Sequence, residues 1–109
     1  MPGNSDETRV RIAALRKEYQ EQLPGRLREL EETWKRLAGG GWSAEAFQEF
    51  HRGVHALAGS GALFGYPGVS TSARALDLQL MPLGSGPPDP ETARRVAAGL
   101  AAIKEAAVS

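Results

Sequence analysis

Two histidines, His51 and His55, are the residues of this chain whose type and spacing could do chemistry, because they lie one helical turn apart. An exposed imidazole can act as a nucleophile, and two imidazoles at this spacing can also bind a metal ion such as zinc. The zinc alternative lacks support, because the stretch HRGVH has no glutamate as in HExxH and the chain offers no cysteine or further histidine. We therefore predict no metal site and treat His55 as the candidate reactive residue.

The helix that carries both histidines is predicted from its apolar residues, which recur every three or four positions. This stripe consists of Phe47, Phe50, Val54, Leu57, Gly61 and Phe64. At about 100° per residue, His55 and Gly59 fall on the opposite face, which we expect to be in contact with solvent. Gly59 has no side chain and follows His55 by one turn, so it leaves the imidazole open to an approaching partner. The alternative for His55 is an ordinary solvated surface histidine.

The pattern is helical from Thr8, and a second apolar stripe extends from Ile12 to Leu37, again with spacings of three and four. Pro24 interrupts it, and proline is costly inside a helix. We predict a short helix over residues 8–22 and a second helix over residues 23–38. One continuous, kinked helix is the alternative, because the stripe keeps its phase across the proline. Residues 1–7 are polar and acidic and are predicted to be a disordered lead-in.

Glycine, proline and capping residues mark the ends of the other helices. The three glycines at 39–41 end the second predicted helix, and Ser43 is a suitable N-cap for the helix that carries His55. We expect that helix to end near Phe64. A loop rich in glycine and proline covers residues 81–88, and Asp89 followed by proline and glutamate is a strong start signal for the last helix.

The fold class follows from four main helices, each with one apolar face. The third of them follows the turn at residues 66–68, and its apolar stripe consists of Val69, Ala73, Leu76 and Leu80. No alternating strand pattern of useful length is present. The sequence therefore predicts an all-α protein, an antiparallel up-down four-helix bundle with a short extra N-terminal helix. The length of 109 residues suits one domain, which we place over residues 8–109.

Composition argues against several classes of function. Lysine plus arginine and aspartate plus glutamate both number 13, so there is no basic excess of the kind that nucleic-acid binders usually have. No apolar run approaches the roughly 18 residues of a membrane span. The chain has no cysteine, which suits a reducing compartment, and its N-terminus does not resemble a signal peptide. We expect a cytoplasmic protein without nucleic-acid or membrane partners.

Three stretches of the chain match a known sequence signature. Residues 55–65, HALAGSGALFG, resemble the signature of histidine-containing phosphotransfer (HPt) domains, His-x-Leu-Lys-Gly-Ser followed by a small residue, two variable positions, a large apolar residue and Gly. Residues 73–77, ARALD, are similar to the family's Ala-Arg-x-Leu-Glu on the next helix, and residues 23–31 resemble the opening of its second helix. The resemblance extends over nearly all of the chain from about Thr8.

The resemblance implies a role for each matching residue. HPt domains carry a phosphoryl group on a surface histidine of a four-helix bundle, so His55 would be the phospho-acceptor. Gly59 would leave room for the phosphoryl group and the partner, and Ser60 matches the small residue that follows. The family's lysine is replaced by Ala58. Arg52 or Arg74 could supply the missing positive charge, although both could equally be ordinary solvated side chains.

The resemblance also implies the partners. A neutral imidazole is a good nucleophile toward phosphorus, and its ordinary pKa is about 6.5. We expect a phosphocarrier rather than an enzyme, a monomer that exchanges phosphate with a response-regulator receiver domain or a hybrid histidine kinase. It would have no intrinsic cofactor, since the receiver domain would supply Mg²⁺ and the positioning groups.

Two rival functions remain open from the sequence. One is a helical protein-interaction module whose histidine is silent because the lysine is missing, and the other is a small metal-binding bundle. An intact, exposed His55 beside Gly59 favours phosphotransfer. A buried or hydrogen-bonded His55 would favour the silent module, and zinc retained through purification would favour the metal-binding bundle.

Overall fold

Four α-helices form the described part of the chain. The computed structural model describes the backbone of residues 2–84 and 86–108, and side chains from residue 6 onward within those ranges. The helices are α1 (Pro2–Ala38), α2 (Ala44–Ser60), α3 (Pro67–Leu80) and α4 (Pro90–Val108), and a 3₁₀ turn, Met81–Leu83, follows α3. Within those residues there is no strand, so the predicted all-helical class is confirmed.

Helix α1 differs from the prediction because it is continuous from Pro2 to Ala38, with Pro24 inside it. The described residues contain no separate N-terminal helix, and the alternative of one uninterrupted helix is what the structure has. Tyr19, Leu23 and Leu27 are all buried and hold the chain to the core on both sides of the proline. Their packing offsets the cost of the backbone hydrogen bond that Pro24 cannot donate.

Residues 6–18 of α1 lie outside the hydrophobic core. Residues 2–7, where the sequence predicts a disordered lead-in, belong to α1, and Met1 lies outside the described residues. Every side chain from residue 6 to residue 18 is exposed, so this segment is held by the helix's own backbone hydrogen bonds and not by the core.

The core is one cluster to which all four helices contribute. Contacts connect α1 with α2, α2 with α3, α3 with α4, and α4 with α1. Its largest fully buried side chains are Phe47, Phe50, Leu37, Leu57, Leu76, Leu80, Ile103, Val54, Val69 and Val96. Trp34 stacks on Phe50 with ring centroids 5.2 Å apart and donates from Nε1 to the carbonyl oxygen of Ala93 at 3.1 Å, which joins α1 to α4.

The ends of α2 set the position of the histidines. Ser43 caps its N-terminus as predicted, since its side chain accepts a hydrogen bond from the Ala46 N–H at 3.3 Å. The C-terminus lies at Ser60, several residues before the predicted end near Phe64. A Cβ at Gly61 would lie 2.8 Å from the backbone nitrogen of Ser70, so glycine allows α3 to begin close against the end of α2.

Helix α3 is joined to α2 by a buried hydrogen bond, in which the Ser70 hydroxyl donates to the carbonyl oxygen of Ala58. This contact and the packed apolar faces of the two helices fix the position of Asp77, further along α3, opposite the histidines of α2. At the other end of the chain, Asp89 accepts a hydrogen bond from the Thr92 N–H at 2.7 Å, which confirms it as the cap of α4.

Candidate functional site

One carboxylate joins both histidines. The Nδ1 atom of His55 lies 3.0 Å from Oδ2 of Asp77, and the Nε2 atom of His51 lies 2.8 Å from Oδ1 of the same side chain. Helix α2 places the two rings one turn apart, and α3 brings the carboxylate between them. Each carboxylate oxygen of Asp77 is therefore hydrogen-bonded to one imidazole ring.

The three side chains differ in exposure. The side chain of His55 is 76% exposed, that of His51 is 23% exposed and that of Asp77 is 14% exposed. His51 is half-buried at the edge of the core, and its ring lies against Phe47 with centroids 5.9 Å apart. The reactive candidate is thus the outermost group of a cluster that becomes more buried toward the core.

Asp77 is negatively charged in this arrangement. Partial burial raises the pKa of Asp77, but the hydrogen bonds and charges of His55 and His51 outweigh burial and hold that pKa below its ordinary value of 3.8. A carboxylate can only accept, so the nitrogen that faces it on each ring carries a proton. Neutral His55 is therefore the Nδ1–H tautomer, and its lone pair lies on Nε2. Within the described residues, Nε2 of His55 makes no hydrogen bond.

Space remains beside the exposed ring. Gly59 is exposed, and a Cβ added there would meet no atom within 4 Å. The internal packing of the domain therefore does not require glycine at this position. Access to His55 from outside stays the predicted reason for the glycine.

Ser60 has a structural partner on each side. Its hydroxyl donates to the carbonyl oxygen of Ala56 at 2.7 Å, and its oxygen lies 3.1 Å from the hydroxyl of Tyr19. A serine hydroxyl has one proton, so the Tyr19 hydroxyl is the donor in the second bond. Ser60 thus connects the C-terminus of α2 to α1, a role that the sequence analysis did not predict.

The two arginines of the predicted site are both exposed. Arg52 donates from Nε to the carbonyl oxygen of Gln48 at 3.4 Å, which is a contact within α2. Within residues 2–84 and 86–108, the structure records no hydrogen bond or ion pair from the Arg74 side chain, and no hydrogen bond between either arginine and His55. Ala58, which replaces the family's lysine, is buried, so its side chain packs in the core.

Asp77 belongs to the candidate site, although its contact with both histidines is not predicted from the sequence. It ends the stretch ARALD, at the position where the motif that this stretch resembles has glutamate. Asp77 lies 22 residues from His55 and 26 residues from His51, so no periodicity within one helix connects them. The match of residues 73–77 was the one signal that pointed to this position.

Two other properties of the described residues bear on function. Among the described residues, no group of three or more histidine, cysteine, aspartate or glutamate side chains is arranged so that it could hold a metal ion. Likewise, none of the helices within residues 2–84 and 86–108 combines the length and apolar character needed to cross a membrane.

Comparisons with known proteins add one finding. A family model described as "Hpt domain" matches residues 14–106, which include all four helices and the cluster of His51, His55 and Asp77. Comparisons with curated proteins and with solved structures found no significant match.

Proposed function

The chain belongs to the Hpt domain family, and from that premise we propose that it carries a phosphoryl group on Nε2 of His55 and exchanges it with the aspartate of a response-regulator receiver domain. Membership of this family implies phosphotransfer in two-component signalling. The choice of His55 as acceptor, the receiver domain as partner and the direction of attack are the parts that we add.

One observation carries the proposal, namely the environment of the His55 ring. The ring is 76% exposed, and its hydrogen bond to Asp77 uses Nδ1 and leaves Nε2 open. From the sequence alone, a hydrogen-bonded His55 is expected to favour a silent module. This particular bond supports the opposite reading, because it fixes the tautomer whose nucleophilic nitrogen faces outward.

The chemistry follows from that tautomer. The lone pair on Nε2 attacks the phosphorus of the partner's aspartyl phosphate, and the P–N bond forms as the P–O bond to the aspartate breaks. The aspartate carboxylate leaves with the electron pair. No proton has to leave Nε2, since in this tautomer the ring proton is on Nδ1. Asp77 accepts that proton's hydrogen bond and stabilises the positive charge that develops on the ring.

The partner supplies the remaining groups. Phosphoryl transfer depends on positioning and on charge neutralisation, and we propose that Mg²⁺ and the in-line geometry come from the receiver domain. Gly59 would admit the phosphoryl group and the edge of the partner's cleft, because, apart from its chain neighbours and the nearby backbone of α2, no atom of the described residues lies within 4 Å of where its Cβ would be. A hybrid histidine kinase is the expected source of phosphate, and the protein would act as a monomer.

Arg52 and Arg74 are the candidates for the positive charge that Ala58 does not provide. Arg74 lies three residues before Asp77 on α3, and Arg52 lies three residues before His55 on α2. Both side chains are exposed. If one of them contacts the phosphoryl oxygens, its replacement by alanine should slow transfer and its replacement by lysine should restore most of the rate. Equal rates for both alanine variants and the wild type would assign the charge entirely to the partner.

Three finer expectations about the whole molecule remain predictions. We propose that the four helices run alternately up and down, because short loops join α1 to α2 and α2 to α3. The cytoplasmic location and the absence of catalytic activity of its own also remain predictions.

The second candidate function is a silent interaction module. It is favoured by Ala58, which stands where the family carries a lysine. Ala58 is buried, so this position offers no positive charge to a phosphoryl group. In that case, the surface around His55 would bind a receiver domain without accepting phosphate.

Transfer of labelled phosphate from a phosphorylated receiver domain separates the two functions. We expect label on the wild type that is lost in acid and kept in alkali, and no label on His55→Gln. The matched control is His51→Gln, which changes the other histidine and should still take up label. A folded wild type that binds a panel of receivers but takes no label from any of them would support the silent module.

A further inference from the structure

His51 is a histidine to which the transfer chemistry assigns no task. We propose that it is a positioning residue, which acts on His55 through Asp77 by holding the carboxylate in the orientation that keeps the proton on Nδ1. This inference rests on the proposed function of His55. It concerns the state of the acceptor ring before any phosphate arrives, so it can be tested separately.

The carboxylate of Asp77 is held at two points. Oδ1 faces Nε2 of His51 at 2.8 Å and Oδ2 faces Nδ1 of His55 at 3.0 Å. In the described part of the chain, the structure records no other hydrogen bond to either oxygen. The terminal torsion of an aspartate has a broad energy profile, so one hydrogen bond alone fixes its plane poorly. Without His51, the exposed ring of His55 would be the only hydrogen-bond partner of the carboxylate among the residues that the structure describes.

His51 is suited to be the fixed end of this arrangement. Its side chain is 23% exposed, compared with 76% for His55. Its ring packs against Phe47, which is fully buried and stacks on Trp42 with centroids 5.0 Å apart. The buried side chains of α2 therefore hold the ring of His51 in place. His51 then fixes the orientation of the Asp77 carboxylate, and the carboxylate fixes the orientation of the His55 ring.

The two hydrogen bonds also require opposite tautomers. His51 presents Nε2–H to the carboxylate, whereas His55 presents Nδ1–H, and each bond is a donation to an anion. An imidazole that is not held in this way can carry its proton on either nitrogen. If the carboxylate turned away from His55, part of the population would carry the proton on Nε2, where it blocks the nucleophilic lone pair.

A packing role for His51 is the competing explanation, and a pair of variants distinguishes it. His51→Gln keeps an N–H donor at nearly the position of Nε2, whereas His51→Leu fills similar space without a donor. The tautomer of His55 is read from the ¹⁵N chemical shifts of its ring, at a pH well above the ordinary imidazole pKa of about 6.5. Circular dichroism and urea unfolding establish that each variant is folded.

We expect the wild type and His51→Gln to hold His55 as the Nδ1–H tautomer, and His51→Leu to shift the population toward Nε2–H. The rate of phosphate uptake from a receiver should fall about tenfold in His51→Leu and remain near the wild-type rate in His51→Gln. An unchanged tautomer in a folded His51→Leu would overturn the inference. So would a His51→Gln variant as impaired as His51→Leu, since that result assigns His51 to packing.

The ring spectra test the positioning role of His51 and the phosphate assay tests phosphotransfer, so each hypothesis can be refuted without the other. A tautomer shift in His51→Leu, together with no label on the wild type, would sustain the positioning role and refute the proposed phosphotransfer. Normal label on the wild type and on both variants, with identical ring spectra, would refute the positioning role and leave phosphotransfer intact.

Discussion

The Nδ1 atom of His55 lies 3.0 Å from Oδ2 of Asp77, although 22 residues separate them in sequence. This contact places the ring proton on Nδ1 and leaves the lone pair on Nε2. It also joins the proposed acceptor on α2 to α3, so the orientation of the His55 ring depends on the packing of two helices and not on its own helix alone.

Asp77→Asn should disturb the acceptor without removing it. Asparagine offers one oxygen and one NH₂ group where the carboxylate offered two acceptors, so at least one histidine must change its tautomer or lose its bond. The negative charge that would stabilise the phosphorylated ring in the proposed mechanism is also lost. We expect the initial rate of phosphate uptake from a receiver domain to fall by about 10- to 100-fold.

Asp77→Glu is the matched control for that experiment, because it keeps the charge and lengthens the side chain by one methylene. It should retain most of the activity. A fall in Asp77→Glu as large as that in Asp77→Asn would mean that the geometry of the carboxylate matters more than its charge. Wild-type rates in both variants would contradict the role assigned to Asp77.

The same carboxylate should produce a pH-dependent contribution to stability. The pKa of Asp77 is lower in the folded protein than its ordinary value of 3.8, so the folded state favours the ionised form. The contribution is therefore fully present above pH 3.8 and is lost as the pH falls through the lower, folded-state pKa. In urea unfolding, the free-energy difference between the wild type and Asp77→Asn should be largest above pH 3.8 and should shrink below it. A difference that stays constant across this range would show that Asp77 stabilises the fold without its charge.

Local signals in the sequence were sufficient for some of these features and not for others. Ser43 and Asp89 were identified as helix caps because a cap needs only its own first turn of helix. Pro24 was misleading because the packing of Tyr19 and Leu27 on either side of it overrides its local cost. Tertiary contact, not propensity, decides whether that helix continues.

The candidate site, like the fold, could be predicted from the sequence only where its features depend on a single helix. The exposed position of His55 and the open space at Gly59 follow from the period of one helix, and the structure has both. The bond between His55 and Asp77 and the bond between Ser60 and Tyr19 each join two helices. Contacts of that kind depend on how helices meet, which a single sequence does not specify.

Gly59 should separate stability from function. Gly59→Ala adds a methyl group that meets no atom within 4 Å and removes a poor helix former, so it should stabilise the domain by about 0.5–1 kcal/mol. Gly59→Gln should fold equally well but should block the approach of a receiver to His55 and abolish most of the phosphate uptake. Both effects are measured on the same samples, by urea unfolding and by labelled phosphate transfer.

Ala101→Gln is the control for the bulky variant, because it adds the same side chain to an exposed position on α4. It should leave the transfer rate unchanged. If Gly59→Gln transfers phosphate as fast as the wild type, access to His55 does not depend on position 59, and the reason for glycine there must be sought elsewhere.

Ser60 should behave in the opposite way, as a residue that supports the fold more than the reaction. Its hydroxyl bonds to Ala56 within α2 and accepts a hydrogen bond from Tyr19 of α1. Ser60→Ala and Tyr19→Phe should each lower the free energy of unfolding by about 0.5–1.5 kcal/mol. The double variant should lose less free energy of unfolding than the sum of the two single losses, because both single changes remove the same bond.

The rate of phosphate uptake should be close to that of the wild type in all three variants. A large loss of rate in Ser60→Ala, without a matching loss in Tyr19→Phe, would instead place the Ser60 hydroxyl in contact with the phosphoryl group or the partner.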